Sequence, residues 1–185
     1  MLMVMLGKYL FIALFFTPLI GRSQTFPVDT AGVLKYEEVV TSKLTLDQLY
    51  NNAKLFTIKE FNNPASVIQI DDPEKGKIVL KAIMKSNVQE GGILGFKFDI
   101  WTDFIFQIDV KHNKYRYVIT NLVIDFSGDA VKEVLSGEEL VLKAEKKVKA
   151  KYKVAVYKNV ENSVSNDIQI LIENLKHQMT NEDDF

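Results

Sequence analysis

The strongest constraint on the fold lies between Thr102 and Asp125, where apolar and polar side chains alternate with a period of two on either side of a tight turn. Phe104, Phe106, Ile108 and Val110 fall on one face of an extended chain, and Asp103, Gln107 and Asp109 on the other. His112-Asn113 supplies the turn, and Lys114 to Asp125 (KYRYVITNLVID) runs back as the next strand. Such a pair presents one face to a core, and a second layer has to cover it.

The neighbouring segments supply more of the sheet. Ser66 to Asp71 (SVIQID) and Lys77 to Lys85 (KIVLKAIMK) read as a hairpin, joined by Asp72-Pro73-Glu74-Lys75-Gly76. In that turn Pro presets φ and Gly can take a positive φ. Ser86 to Gly95, with Gly91, Gly92 and Gly95, reads as a loose connection to the strand at Thr102. Val33 to Thr41 (VLKYEEVVT) is a further strand, entered from Gly32. Its alternation is imperfect, because Glu38 shares a face with Leu34, Tyr36 and Val40, and an edge position tolerates that.

The covering layer is legible too. Thr45-Leu46-Asp47-Gln48 has the form of a capping box, and Leu46, Leu49, Tyr50, Ala53 and Phe56 recur at helical spacing. This helix should end near Phe61, before Asn62-Asn63-Pro64. Phe126 to Gly137 reads as a connection, and Ser136-Gly137-Glu138-Glu139 as a second capping box. From 138 to 158 two periods compete. Leu140, Val141, Ala144, Val148, Tyr152 and Ala155 fit a helix, while Val148, Ala150, Tyr152, Val154 and Val156 also alternate against lysines. The helix propensity of Lys, Ala and Glu favours the helix. Asp167 to Met179 is amphipathic through Ile168, Leu171, Ile172, Leu175 and Met179, and Thr180 to Phe185 reads as a frayed tail. The fold class is therefore α+β: a strand, a helix, then four strands, forming an antiparallel sheet of about five strands packed against helices, with a C-terminal helix.

The N-terminus reads as an address. Between Lys8 and Arg22 runs an apolar stretch of thirteen residues, Tyr9 to Gly21, interrupted near its end by Pro18. A membrane span needs about 20 apolar residues, whereas the core of a secretory signal needs about 7–15. Gly21 and Ser23 are the small residues expected ahead of a cut before Gln24. An uncleaved anchor over Leu2 to Ile20 is the competing reading. Cleavage removes Lys8 and Arg22, leaving 21 basic against 24 acidic residues and a net charge of −3. No cysteine is present among the 185 residues, which excludes disulfides, thiol nucleophiles, zinc–thiolate sites and an acylated lipoprotein. An exported chain without disulfides fits a bacterial periplasmic or secreted domain that relies on packing. The charge balance excludes electrostatic nucleic-acid binding by the whole chain.

Searches for chemistry return nothing that converges. His112 and His177 are far apart and lie outside any HExxH pattern, so no metal site is read. No Gly-x-Ser-x-Gly elbow surrounds Ser127. Asp71-Asp72, Glu37-Glu38, Glu138-Glu139 and Asp183-Asp184 are adjacent pairs, and neighbours on a strand point to opposite faces. Asp103 and Asp109 share a face but stand roughly 20 Å apart at strand rise, beyond the about 5–10 Å of a glycosidase pair. Gly91 to Lys97 matches neither dinucleotide nor Walker loops, so no cofactor is implied. Lys143, Lys146, Lys147, Lys149, Lys151, Lys153 and Lys158 meet only Glu145 in their span, and Lys147, Lys149, Lys151 and Lys153 are candidate contacts for anionic lipid or polyanion. Trp101, Tyr115 and Tyr117 are candidate contacts for a ligand or protein partner on the sheet.

Phe26-Pro27, Gly32 to Val40 (GVLKYEEVV), Leu49 to Phe56 (LYNNAKLF) and Val67-Ile68-Gln69, followed by Asp71-Asp72 and Gly76-Lys77-Ile78, carry a resemblance. Together they resemble a family of exported bacterial domains of unknown function, described as having a TATA-binding-protein-like (TBP-like) fold. Leu55 stands where that family often has tryptophan. The resemblance covers roughly Phe26 to Asp125, and it brings no catalytic residues. It implies residues 1–23 as signal peptide, 24–127 as a TBP-like α+β domain and 128–185 as a C-terminal helical region packed on or appended to it. The function expected is non-enzymatic binding of a protein or small ligand. The alternatives are a peripheral envelope protein using Lys143 to Lys158, and an enzyme of unrecognised type. A fold shared with a DNA binder carries no function by itself.

Overall fold

A computed structural model describes residues 26–90, 96–126, 133–145 and 151–181. Along the chain, β1 (Tyr36–Thr41) is followed by α1 (Leu46–Glu60), α2 (Pro64–Val67), β2 (Ile68–Asp72), β3 (Lys77–Glu90) and β4 (Phe96–Lys111). Then come β5 (Lys114–Asp125), β6 (Val134–Ser136), α3 (Gly137–Glu145) and α4 (Lys151–Gln178). The strands form one sheet in the order β1-β5-β4-β3-β2, every pairing antiparallel. β6 pairs with residues 123–125 of β5, on the edge that β1 occupies further along.

The alternation over 102–110 is realised. Thr102, Phe104, Phe106, Ile108 and Val110 are buried, and on β3 Ile78, Leu80, Ala82, Ser86 and Val88 share that face. β5 contributes Tyr115, Tyr117 and Ile119, then Leu122 and Ile124. The change of parity between 119 and 122 comes from a bulge: Asp103 pairs with Val123 and Ile105 with Thr120, so Asn121 and Leu122 both stand opposite Phe104. Asn121 absorbs the extra residue at φ 56°, a left-handed conformation that asparagine tolerates.

Among the described residues, helices cover this face alone. Thr45 accepts from the Gln48 N–H at 3.3 Å and the Gln48 side chain accepts from the Thr45 N–H at 3.0 Å, so the capping box starts α1. Leu49, Ala53 and Phe56 of α1 are buried, and the Phe56 ring meets Phe106 edge-on at 5.7 Å. α3 opens on the second capping box, with Ser136 and Glu139 exchanging bonds of 2.9 and 3.2 Å. It adds Leu140 to the core, and α4 adds Val160, Val164, Ile168, Ile172 and Leu175. The C-terminal helices thus share one core with the sheet. No helix among the described residues is long and apolar enough to cross a membrane.

Several boundaries depart from the sequence reading. β1 begins at Tyr36 rather than Val33. Pro64 starts a helical turn, so β2 begins at Ile68 rather than Ser66. β3 continues through Glu90 and β4 starts at Phe96, so the first half of the stretch read as a loose connection, Ser86 to Glu90, is paired strand. Ser86 and Val88 keep the inward parity there; Gly91 to Gly95 lie outside the described residues. The connection after Phe126 contains β6, three residues too short to carry a periodic signal. Residues 137–145 and 151–158 are helical, with 146–150 outside the described residues, and α4 runs unbroken from Lys151 instead of starting at Asp167.

The β2–β3 turn depends on Gly76. It sits at φ +59°, its carbonyl accepts from the Val110 N–H at 2.7 Å, and a Cβ there would come within 2.5 Å of the Val110 carbonyl oxygen. Gly76→Ala therefore combines backbone strain with a backbone clash and should cost about 1–3 kcal/mol. Urea unfolding measures this, and an unchanged midpoint would contradict the geometry.

Candidate functional site

The face of the sheet away from the helices carries the odd-numbered residues of β3 and β4. Cross-strand rows can be read from the register: Lys85–Trp101–Asp125–Val134 and, beside it, Ile83–Asp103–Val123–Ser136. In these two rows Ile83, Trp101, Val123 and Val134 are all exposed, Trp101 at 46%. The Lys85 ammonium lies 5.7 Å from the Trp101 ring and 2.6 Å from Asp99. Apolar and charged side chains alternate across the patch: Asp125 stands between Trp101 and Val134, Asp103 between Ile83 and Val123, and Lys85 and Asp99 beside Trp101. Ladder geometry places it there, because Trp101 and Val123 are brought together across β4 and β5.

Tyr115 and Tyr117, read as companions of Trp101, lie on the other face. They are 3% and 5% exposed and form part of the core beneath the helices, so neither presents a free ring to a ligand on the open face. Sequence parity already separates them from Arg116 and Val118, which are outward. The Tyr117 hydroxyl donates to Glu38 at 2.7 Å, and Lys176 of α4 reaches the same carboxylate at 2.5 Å. Lys176 and then Tyr117 hold the Glu38 carboxyl below the usual carboxylate range. This accounts for the irregular alternation of β1: Glu38 does face the helical side, where a cation and a phenol receive it. Likewise Asp71 takes the Tyr50 hydroxyl and Lys54 at 2.9 Å, which lower its pKa, while Asp72 holds Lys75 at 2.7 Å.

A second feature lies at the far end of the open face, where Val39, Lys75, Asp109, Lys111, Lys114 and Arg116 line a depression of about 430 Å³. Asp109 accepts from the Arg116 Nη2 at 2.6 Å and Nε at 3.1 Å and from Gln107 at 2.7 Å, and Arg116 also reaches Glu37 at 3.4 Å. Asp109 raises the Arg116 pKa further. Lys111 and Lys114 flank the His112-Asn113 turn in sequence, but only the packing of two turns brings Lys75 beside them.

Of the lysines read as polyanion contacts, Lys147 and Lys149 lie outside the described residues. Lys151 and Lys153 fall in the first turn of α4. Lys143 is engaged within the fold, on the Glu133 carboxylate and 5.3 Å from the Tyr157 ring. His112 and His177 are exposed on separate elements, and among the described residues no group of three histidines, aspartates or glutamates gathers to hold a metal.

An antiparallel sheet with helices on a single face, entered through a strand and a helix, is the TBP-like arrangement. The family model described as "Domain of unknown function (DUF4468) with TBP-like fold" matches residues 36–125 of this chain. The crystal structure of a DUF4468 family protein from Bacteroides ovatus superposes with a TM-score of 0.66 at 12% identity, covering 90% of this chain and 95% of that one. A TBP-like protein from Parabacteroides distasonis superposes at 0.62 and 14% identity, over 83% and 96%. At such identities the likeness concerns the fold. No functionally curated protein matches the chain.

The tyrosines provide a check on this arrangement. Burial pushes Tyr36 and Tyr115 up to about 12, and raises Tyr50 and Tyr117 as well. The folded state favours their neutral forms, so this contribution is complete below the unfolded value near pH 10 and is lost as pH rises toward 12. Tyrosinate absorbance at 295 nm should therefore rise together with loss of circular dichroism in that window. Ionisation of these four phenols in a still-folded protein would contradict their placement.

Proposed function

We propose that this chain is an exported, non-enzymatic binding domain, and that a protein or small ligand docks on the open sheet face around Trp101. The observation that carries the reading is the cluster of Ile83, Trp101, Val123 and Val134, uncovered on a sheet whose opposite face lies under three helices. Exposed apolar groups gathered on one surface among polar ones mark an interaction site. Export is supported by the apolar stretch between Lys8 and Arg22. Phe26 is buried against Tyr36, and its N–H donates to the buried Glu161 carboxylate at 3.1 Å. Cleavage before Gln24 leaves every one of these groups in place.

Expression of the full chain in a Gram-negative host tests the first half: the exported protein should begin at Gln24, and retention of the uncleaved chain in the cytoplasm would overturn it. Trp101, the single tryptophan, reports the second half. Titration with arrayed envelope glycans and peptides should shift its emission, and Trp101→Ala and Ile83→Asp should each weaken that binding about tenfold or more. Ligands that bind without sensing either substitution would move the site elsewhere. Turnover of ester, peptide or glycoside substrates, abolished by one side-chain change, would overturn the non-enzymatic reading.

A further inference from the structure

The depression at the far end of the open face holds positive charge that its own carboxylates leave unmatched. Lys111 and Lys114 stand directly opposite each other across the last pair of the β4–β5 hairpin, both exposed. Two like charges in that relation repel and destabilise a hairpin. Neighbouring cations have partners: Lys75 is 2.7 Å from Asp72, Arg116 is 2.6 Å from Asp109, and Lys77 lies 3.8 Å from Asp109. Glu37 is shared between Lys35 and Arg116. Among the described residues no carboxylate pairs with Lys111 or Lys114.

The frame around this pair is rigid. The Val110 N–H donates to the Gly76 carbonyl at 2.7 Å, tying the β2–β3 turn to β4. The Ser42 N–H donates to the Asn113 carbonyl at 2.9 Å, tying the end of β1 to the hairpin turn, where Asn113 takes φ 61°. Three strand ends are thus held around one cavity. Its walls carry lysine ammoniums, and exposed Val39 adds an apolar surface.

We infer that this depression is a binding site for a tetrahedral oxyanion, a phosphate or sulfate ester on a small organic body, held between Lys111 and Lys114. The donor chemistry selects that class. Arg116, whose planar fork matches carboxylates, already spends Nε and Nη2 on Asp109 and Nη1 on Glu37. The groups left are ammoniums, compact point charges with three donors each, which suit a tetrahedral anion approached from several sides. The cavity, about 430 Å³, exceeds what a bare phosphate fills, and Val39 lies where the organic body would rest. Eight residues along β4 separate Asp109 from Trp101, about 27 Å at strand rise. The inference is therefore independent of docking at Trp101.

The test titrates the purified protein with glucose 6-phosphate, glucose 6-sulfate and gluconate, following binding by calorimetry and by amide shifts of the hairpin. One or both esters should bind, more weakly as salt is raised, and at least about tenfold more tightly than gluconate. The preferred ester identifies phosphate or sulfate as the group recognised. The double variant Lys111→Gln/Lys114→Gln should lose about tenfold or more in affinity. Lys114→Glu should abolish binding yet raise the melting temperature, because a repulsive cross-strand pair becomes attractive. That opposed outcome separates a binding role from a structural one. No binding of either ester at about 10 mM, equal binding of gluconate, or indifference to the double variant would overturn the inference. Binding confined to anionic phosphatidylglycerol vesicles, with none to the soluble esters, would overturn it in favour of a flat electrostatic contact.

Discussion

The structure depends on the ladder between β3 and β4, which pairs every residue from Lys77 opposite Asp109 to Glu90 opposite Phe96 without a break. Because side chains alternate strictly, this one register decides which residues meet the helices and which meet water. A slip of one residue would carry Phe104, Phe106 and Ile108 to the open face and bring Asp103, Gln107 and Asp109 under α1. Burying each large apolar side chain contributes about 1.5–3 kcal/mol, so that slip is prohibitive. The bulge at Asn121 then resets parity on β5, keeping Leu122 and Ile124 inward where an uninterrupted strand would have turned them out.

Polar contacts between distant parts of the chain orient the covering layer more than they stabilise it. Lys176 and Tyr117 converge on Glu38, the Leu34 N–H donates to Glu138 at 3.0 Å, and the Asn52 amide donates to the Asn181 carbonyl at 2.8 Å. The exposed Lys176–Glu38 ion pair contributes about 0–1 kcal/mol, and each hydrogen bond about 0.5–1.5 kcal/mol. Their geometry nonetheless specifies one seat for α4, whose apolar stripe alone would tolerate sliding. Phe26 is fastened in the same way, at the buried Glu161 of α4. The first and last described segments therefore meet over the sheet.

Periodicity revealed elements wherever the burial was one-sided and local. β5 spans the segment that the alternation marks out, and α1 begins at its capping box and ends one residue before Phe61. Periodicity failed where tertiary partners override local signals. Asn87 and Gln89 look like loop residues beside a glycine cluster, yet β4 supplies them with a ladder. β6 is held only by β5. Trp101 could be singled out because a lone tryptophan beside a strand is conspicuous, but Ile83, Val123 and Val134 are scattered over more than fifty residues of sequence. Tyr115 and Tyr117 share only their aromatic type with it, and strand parity and the helices place them in the core. Lys111 and Lys114 flank the His112-Asn113 turn in sequence, whereas their place beside Lys75 from another turn follows only from the fold.

By itself the sequence determined the class of fold, the apolar face of each long strand, the capped start of α1 and the absence of thiol chemistry. These follow from spacing and composition, and both act over a few neighbouring residues. Tertiary structure alone decided the extent of β3 and β4, the bulge, the seat of α4 and the identity of the uncovered face with its apolar patch and unneutralised lysines. Each of those depends on which residues lie opposite one another across a sheet, and hydrogen-bonded register settles that at a distance the linear pattern does not reach.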